Sequence, residues 1–291
     1  MWTWKLLRAG ALRLDGGGMF GVIPQTIWSR LVTPDENNRI SLQTNCLLLQ
    51  DGSTTILVET GCGDKWTDTE RGYWDLERRT VVDALHEVGT TPQQVDFVIV
   101  THLHFDHAAA LTRWDDDGQP VPTFPNATVV VQTTEWQDAL ANKSTMGRTY
   151  LRSHLDPVAD RVRLETGEAE VLPGVTVWPM VGHTWGQQAV RFDDGTGIVC
   201  FPGDVMPTVH HAGSAYSLGY DMLPYENMQS KMELLKRAST EDWRIVLDHE
   251  PGNPVVRVRP DADHFGRFDL FPVASVTTPA SSAPGHAAEG R

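Results

Sequence analysis

Cysteine is scarce in this chain, and its three residues, Cys46, Cys62 and Cys200, lie far apart with no CxxC pair. That spacing suggests neither a disulfide framework nor a thiolate zinc site. Each cysteine sits in or beside an apolar run, where a buried free thiol is expected. Basic residues are also in deficit: 24 Lys and Arg stand against 38 Asp and Glu, for a formal net charge of -14. A general nucleic-acid or anionic-membrane surface needs a basic face, so neither partner is expected. Long apolar runs are missing as well. The opening residues, Met1 to Arg8, carry charge where a signal peptide would need an unbroken apolar core, and no segment approaches membrane-spanning length. The expectation is a soluble protein of the reducing cytoplasm.

Hydrophobic residues make up 40% of the chain and charged residues 21%, enough for a sizeable core. No linker composition appears in the middle, so residues 1–272 are read as one domain. The stretch 273–291, rich in Ala, Ser, Pro, Thr and Gly, is read as a disordered tail in which His286 carries no weight. Residues 4–14 alternate as a strand, broken by Asp15 and three glycines that permit unusual backbone angles and close approach. Ser41 to Leu49 and Thr54 to Val58 flank an Asp-Gly hairpin signal. Residues 76–88 carry apolar positions at helical spacing and stop at Gly89. Strands are expected at Ala127 to Gln132, Val175 to Pro179, Ala189 to Phe192, Ile198 to Phe201 and Ile245 to Leu247, and helices at 134–142 and 226–238. Strands in both halves with helices between them suit a layered α/β (α+β) sandwich.

One stretch stands apart. Thr101 His102 Leu103 His104 Phe105 Asp106 His107 places three histidines and an aspartate within six positions, directly after the strand-like run Val95 to Val100. Imidazole and carboxylate are ligands that first-row divalent ions accept. On extended chain His102 and His104 share a face and grip one ion together, whereas Asp106 and His107, past the turn, reach a second. Isolated polar residues elsewhere take the plainer reading. His86 is a solvated helix position, His154 is placed on the surface, and Asp115 Asp116 Asp117 Gly118 is a solvated turn that lacks the rest of a calcium loop.

His102, His104, Asp106 and His107 match the HxHxDH signature of the metallo-β-lactamase superfamily, and the sequence resembles that family. The resemblance extends to His183 in a Gly-His-Thr turn, Asp204 in a Gly-Asp turn and His249 after a late apolar run. It implies an αββα sandwich and a metal-dependent hydrolase. By the same resemblance His102, His104 and His183 hold a first metal, Asp106, His107 and His249 hold a second, and Asp204 bridges them. Two ions about 4 Å apart share a hydroxide, since binding lowers the pKa of water from about 15.7 to about 7. Asp106 then passes a proton to the leaving group. Histidine at 104, where the flavodiiron branch has glutamate, favours hydrolysis over oxygen reduction. Zinc is the first choice of metal, with manganese, iron or cobalt compatible with these ligands. The turn at Glu59 Thr60 Gly61 carries glutamate where the superfamily usually has aspartate.

Over residues 10–255 the chain resembles the branch of quorum-quenching lactonases and methyl parathion hydrolase. That implies a small-molecule ester substrate, foremost an acyl-homoserine-type lactone, with a phosphotriester, phosphodiester or thioester as the alternative and a non-catalytic metal-dependent binding protein ranked below both. A homodimer is what the lactonase resemblance suggests. Many such lactonases place a tyrosine three residues after the bridging aspartate; this chain has Pro207 there. Candidate substrate contacts are Met19, Phe20 and Trp28, either packed on the core or overhanging the pocket, and His211, Tyr216 and Tyr220, with His210, in the loop 205–225.

Overall fold

Strand alternation decides how the layers stack. The computed structural model describes residues 1–264 and 266–273. In chain order it forms β1 (Thr3–Asp15), α1 (Gly16–Phe20), α2 (Gln25–Trp28), β2 (Arg39–Gln50), β3 (Thr55–Val58), α3 (Asp68–Trp74), α4 (Val81–Glu87), β4 (Phe97–Ile99) and α5 (Phe105–Ala108). A small hairpin of β5 (Thr112–Trp114) and β6 (Pro120–Pro122) leads to β7 (Thr128–Gln132), α6 (Thr133–Leu140), α7 (Arg152–Leu155) and β8 (Val162–Glu165). The second half contributes β9 (Ala169–Leu172), β10 (Val175–Pro179), β11 (Gln188–Asp193), β12 (Ile198–Phe201), α8 (Pro224–Thr240), β13 (Arg244–Val246), β14 (Val255–Pro260) and β15 (Phe268–Pro272).

Two sheets result, ordered β1-β2-β3-β4-β7-β8 and β15-β14-β13-β12-β11-β10-β9. Their inner faces meet in one apolar layer. Leu47, Leu49, Ile56, Val58, Ile99 and Val130 from the first sheet pack against Val177, Val190, Phe192, Val199, Phe201 and Val246 from the second. Successive strand side chains point to opposite faces, so Leu48, Leu57, Val98, Val129 and Val131 turn outward. There they are covered by Val81, Ala84 and Leu85 of α4 and by Trp136 and Ala139 of α6. On the far side Leu234, Leu235 and Ala238 of α8 cover Cys200, Ile245 and Val256. The order helix, sheet, sheet, helix is the expected αββα sandwich.

Strand direction brings several loops to one edge. β3, β4 and β7 are parallel neighbours, as are β12 and β13, so their C-terminal ends crowd the same rim of the sandwich. Backbone bonds from Gln188 N to the Thr101 carbonyl (3.0 Å) and from Asn45 N to the Asp248 carbonyl (2.7 Å) join the two sheets there.

Several expectations need correction. The glycines after Asp15 do not break the chain into a loop: Asp15 caps α1 by accepting from Gly18 N, and Gly16 to Gly18 keep ordinary backbone angles. Their smallness serves close approach instead. The 76–88 helix begins only at Val81, because Thr80 and Asp83 form a capping box there. His154 is buried at 3% exposure, its ring edge-on to Trp66, because α7 turns it inward beneath the aromatic cluster. Val273 is not tail: its N–H bonds the Val255 carbonyl and it packs on the inter-sheet core. Residues 274–291 lie outside the described residues. All three cysteines are free and buried. No described helix is long and apolar enough to cross a membrane.

Candidate metal centre

His102, Asp204 and His249 each sit a few residues past the ends of β4, β12 and β13, and His183 lies in the turn between β10 and β11. The chain approaches this edge through glycines. Gly203, before Asp204, has φ +62, and a Cβ there would come 2.6 Å from Thr101 Oγ1. Gly182, before His183, has φ +154, and a Cβ would overlap the Asn227 backbone at the start of α8. Only glycine lets these turns close against their neighbours.

Two groups of ligand atoms converge. His102, His104 and His183 form one; His107, Asp204, Asp248 and His249 form the other, and within each group the ligand atoms lie within 4.8 Å of one another. Asp204 stands between them. Its Oδ2 is 3.2 Å from His183 Nε2, and its Oδ1 is 3.2 Å from His249 Nε2 and 3.6 Å from His107 Nε2. Asp106 flanks the second group, 3.6 Å from His249 Nε2 and 3.8 Å from His107 Nε2.

Hydrogen bonds on the outer side fix how the imidazoles point. A backbone carbonyl only accepts, so the contact of His249 Nδ1 with the Gln43 carbonyl at 3.0 Å places the proton on Nδ1. His183 Nδ1 likewise donates to Asp221 Oδ1 at 2.9 Å. In the neutral rings Nε2 then presents a lone pair to the centre, the orientation that metal-ligating histidines adopt. His107 Nε2 and His249 Nε2 face each other at 3.2 Å. Buried His102 Nε2, His104 Nε2 and Asp204 Oδ1 have no hydrogen-bond partner. Ring nitrogens that face one another in pairs, His104 Nδ1 with His183 Nε2 at 2.9 Å and His107 Nε2 with His249 Nε2 at 3.2 Å, with Asp204 between them, make a set that fits two divalent metals.

The electrostatics divide in the same way. Burial, aided by the neighbouring imidazoles, holds His102 and His104 well below the usual histidine range. At His107 the cost of burial is outweighed by Asp204, Asp106 and Glu59, which lift it well above that range. Against the same cost, Asp204 and Asp248 hold His249 up at about 9. Burial raises Asp248, whereas the surrounding histidines outweigh burial at Asp204 and pull it well down. The carboxylates therefore create a field that calls for positive charge at the second group.

The family model described as the metallo-beta-lactamase superfamily matches residues 40–249, more than two thirds of the chain. The chain belongs to this superfamily. It is 29% identical over 163 residues to an N-acyl homoserine lactonase of Bacillus thuringiensis, an alignment covering 52% of this chain and 58% of that protein. The match thus spans little more than half of the relative's length. Among solved structures, a probable metal-dependent hydrolase from Staphylococcus aureus superposes with a TM-score of 0.83 at 25% identity, covering 94% of this chain and 98% of its own. AidC, a dizinc quorum-quenching lactonase solved with a product, superposes with a TM-score of 0.77 over 95% and 96% of the two chains; at 15% identity that likeness concerns the fold.

Against the superfamily pattern, Glu59 fills the turn position usually held by aspartate. It holds the loop 101–107 in place: Oε1 accepts from Thr101 N at 2.7 Å, and Oε2 lies 3.4 Å from His107 Nδ1. Beside the converging residues opens a cleft of about 650 Å³, including its mouth. Asp106, Asp204 and His249 form its floor, and Met19, Trp74, Phe105 and Met146 its apolar wall, with Tyr220 beside them. Of the candidate substrate contacts, Met19 and Tyr220 reach this cleft. Phe20, Trp28, His211 and Tyr216 stand behind it instead: Phe20 stacks between Trp28 (5.3 Å) and His211 (5.2 Å), with Tyr216 edge-on. His211 is fully engaged, donating to the Met19 carbonyl at 2.7 Å and meeting Thr208 Oγ1 at 2.8 Å. This stack supports α1 from behind, and so places Met19. His210 also lies outside the cleft wall, tilted toward Phe20.

Sequence reasoning missed three kinds of residue. Trp74, Phe105 and Met146 come together only in the fold. Asp248 reads as the polar end of a strand. Glu135 on α6 reads as a solvated helix position but is fully buried, accepting from Leu103 N (2.9 Å), Thr184 Oγ1 (2.6 Å) and Tyr150 Oη (3.1 Å).

Proposed function

We propose that the chain is a dinuclear metal-dependent hydrolase of a small neutral ester, foremost a lactone of the acyl-homoserine type. The observation that carries this reading is the pair of donor groups joined by Asp204 on the floor of an apolar cleft. His102, His104 and His183 would hold one ion, Asp106, His107 and His249 the other, and Asp204 would serve both, with zinc the first choice. Bound there, divalent cations lower the pKa of water toward neutrality and polarise a carbonyl oxygen.

The chain's own residues supply the rest. Met19, Trp74, Phe105 and Met146 bury an acyl chain and exclude water from it. Asp106, on the cleft floor, holds the proton that the leaving alkoxide takes up. Tyr220 lines the same cleft and would offer its hydroxyl to a substrate oxygen. A phosphotriester or thioester is the competing substrate on the same residues.

The test is hydrolysis of lactones of graded acyl length, phosphotriesters and thioesters by the metal-loaded protein, with elemental analysis and His104→Ala as control. About two metals per chain and a lactonase activity lost in the variant are expected. Preferential cleavage of a phosphotriester or thioester would move the substrate assignment. Tight metal binding with no ester cleaved would leave a binding protein.

A further inference from the structure

Asp248 is not among the seven residues that the superfamily signature supplies, yet its carboxylate belongs to the donor group with His107, Asp204 and His249. Resting on the dinuclear reading above, we propose that Asp248 is itself a ligand of the second metal and grips it from the side away from the substrate.

Three observations carry this. The Asp248 side chain is buried at 2% exposure, and while Oδ1 accepts from His249 N at 3.1 Å, Oδ2 has no partner. A buried carboxylate oxygen with nothing to bond is costly unless a proton or a cation meets it. Asp248 also lines a small recess of about 150 Å³ with Asn45, Glu59, His107 and His249, where Asn45 Oδ1 is likewise buried without a hydrogen-bond partner and Glu59 Oε2 has only His107 Nδ1, at 3.4 Å. The unpartnered oxygens of this back chamber are acceptors. Finally, the two carboxylates that flank the position differ in what they reach. Asp106 and His249 line both the substrate cleft and this recess, whereas Asp248 and His107 line the recess alone.

The arrangement makes the two positions chemically unequal. The first has three imidazoles and a share of Asp204. The second has two imidazoles with Asp106, Asp204 and Asp248, a harder and more oxygen-rich set of the kind that suits manganese more than the first does. With Asp248 holding the ion from behind, Asp106 is less tied to it and freer to move a proton on the cleft side.

The experiment compares the full chain with Asp248→Asn and Asp106→Asn. Each is stripped of metal and titrated with Mn(II), followed by electron paramagnetic resonance, and with Zn(II) against a competing chelator. Asp248→Asn should keep the first ion and lose affinity for the second by more than about 100-fold, beyond the range for a residue that only supports a ligand. Mn(II) in the wild type should enter the second position first. Circular dichroism of the stripped variants checks that they fold. A crystal structure of the loaded wild type, which needs no variant, should place an Asp248 oxygen about 2.0–2.2 Å from the ion. Unchanged affinity in Asp248→Asn, or a carboxyl group outside coordination distance, would overturn the proposal while leaving the dinuclear site intact. A wild type that binds no metal would overturn both.

Discussion

Glu135 is the buried acceptor whose loss should be felt furthest from its own position. Its carboxylate takes hydrogen bonds from Leu103 N, Thr184 Oγ1 and Tyr150 Oη. Leu103 lies between His102 and His104, and Thr184 follows His183, so one side chain ties together both segments of the first donor group. Leu103, Thr184 and Tyr150 are all buried, at 2%, 0% and 5% exposure. Glu135→Ala would leave their donors without an acceptor, at about 1–3 kcal/mol each. Hydroxyl rotation softens part of that, so a loss of about 3–6 kcal/mol is expected, against a total stability of about 5–15 kcal/mol. Glu135→Gln keeps one oxygen for Leu103 and Tyr150, while the Thr184 hydroxyl turns to accept from the new amide, so its cost should be about 1 kcal/mol. Urea unfolding of the metal-free proteins measures both. If the alanine variant falls within about 1 kcal/mol of wild type, the three bonds do not hold the loops. If the glutamine variant is as damaged as the alanine one, charge matters and acceptor geometry does not.

Chelation should lower the melting temperature, and readdition of metal should restore it, each site contributing about 2.7 kcal/mol at a free ion concentration about 100 times its Kd; an unchanged melt would deny metal binding. A methyl group at Gly18 would collide with the Tyr220 hydroxyl. Gly18→Ala should therefore lower kcat/KM at least as much as Tyr220→Phe, about 2- to 10-fold for one hydrogen bond, and full activity in both variants would remove Tyr220 from the site. Burial lowers His154 to about 3, with Lys65 adding to the shift. Between about pH 6.5 and 3 the unfolded chain binds a proton there that the folded chain refuses, so stability falls as pH drops through this window, by a few kcal/mol on the order of magnitude. His154→Leu should flatten that part of the pH profile of urea unfolding; an unaltered slope would show that other groups set it.

The sequence made the converging histidines and aspartates legible because four of them are packed into six positions after a strand, a local pattern that needs no tertiary knowledge. The layered fold was readable for a similar reason, since short apolar runs bounded by turn signals in β2, β7, β10 and β12 mark buried strands. What failed to show lacked local signal. Residues of β14 and β15 belong to an edge with mixed burial, and His154 sits in a four-residue helix too short for periodicity. The glycines before Met19 read as a turn, because their reason for being small is Trp28 and Tyr220, distant in sequence. Glu135 and Asp248 look like ordinary acids until the fold removes them from water.

Apart from Leu14 at the end of β1, the cleft wall is drawn from segments outside the two sheets: α1, α3, Phe105 of α5, the turn at 146–149 and Tyr220. The floor that would perform the chemistry rests on strand ends locked between the sheets. Inherited change in the wall could therefore alter the diet of the protein by reshaping what the cleft admits, while the floor passes unaltered from ancestor to descendant. A fold divided in this way is suited to giving rise to a lineage whose members share one reaction and differ in what they consume.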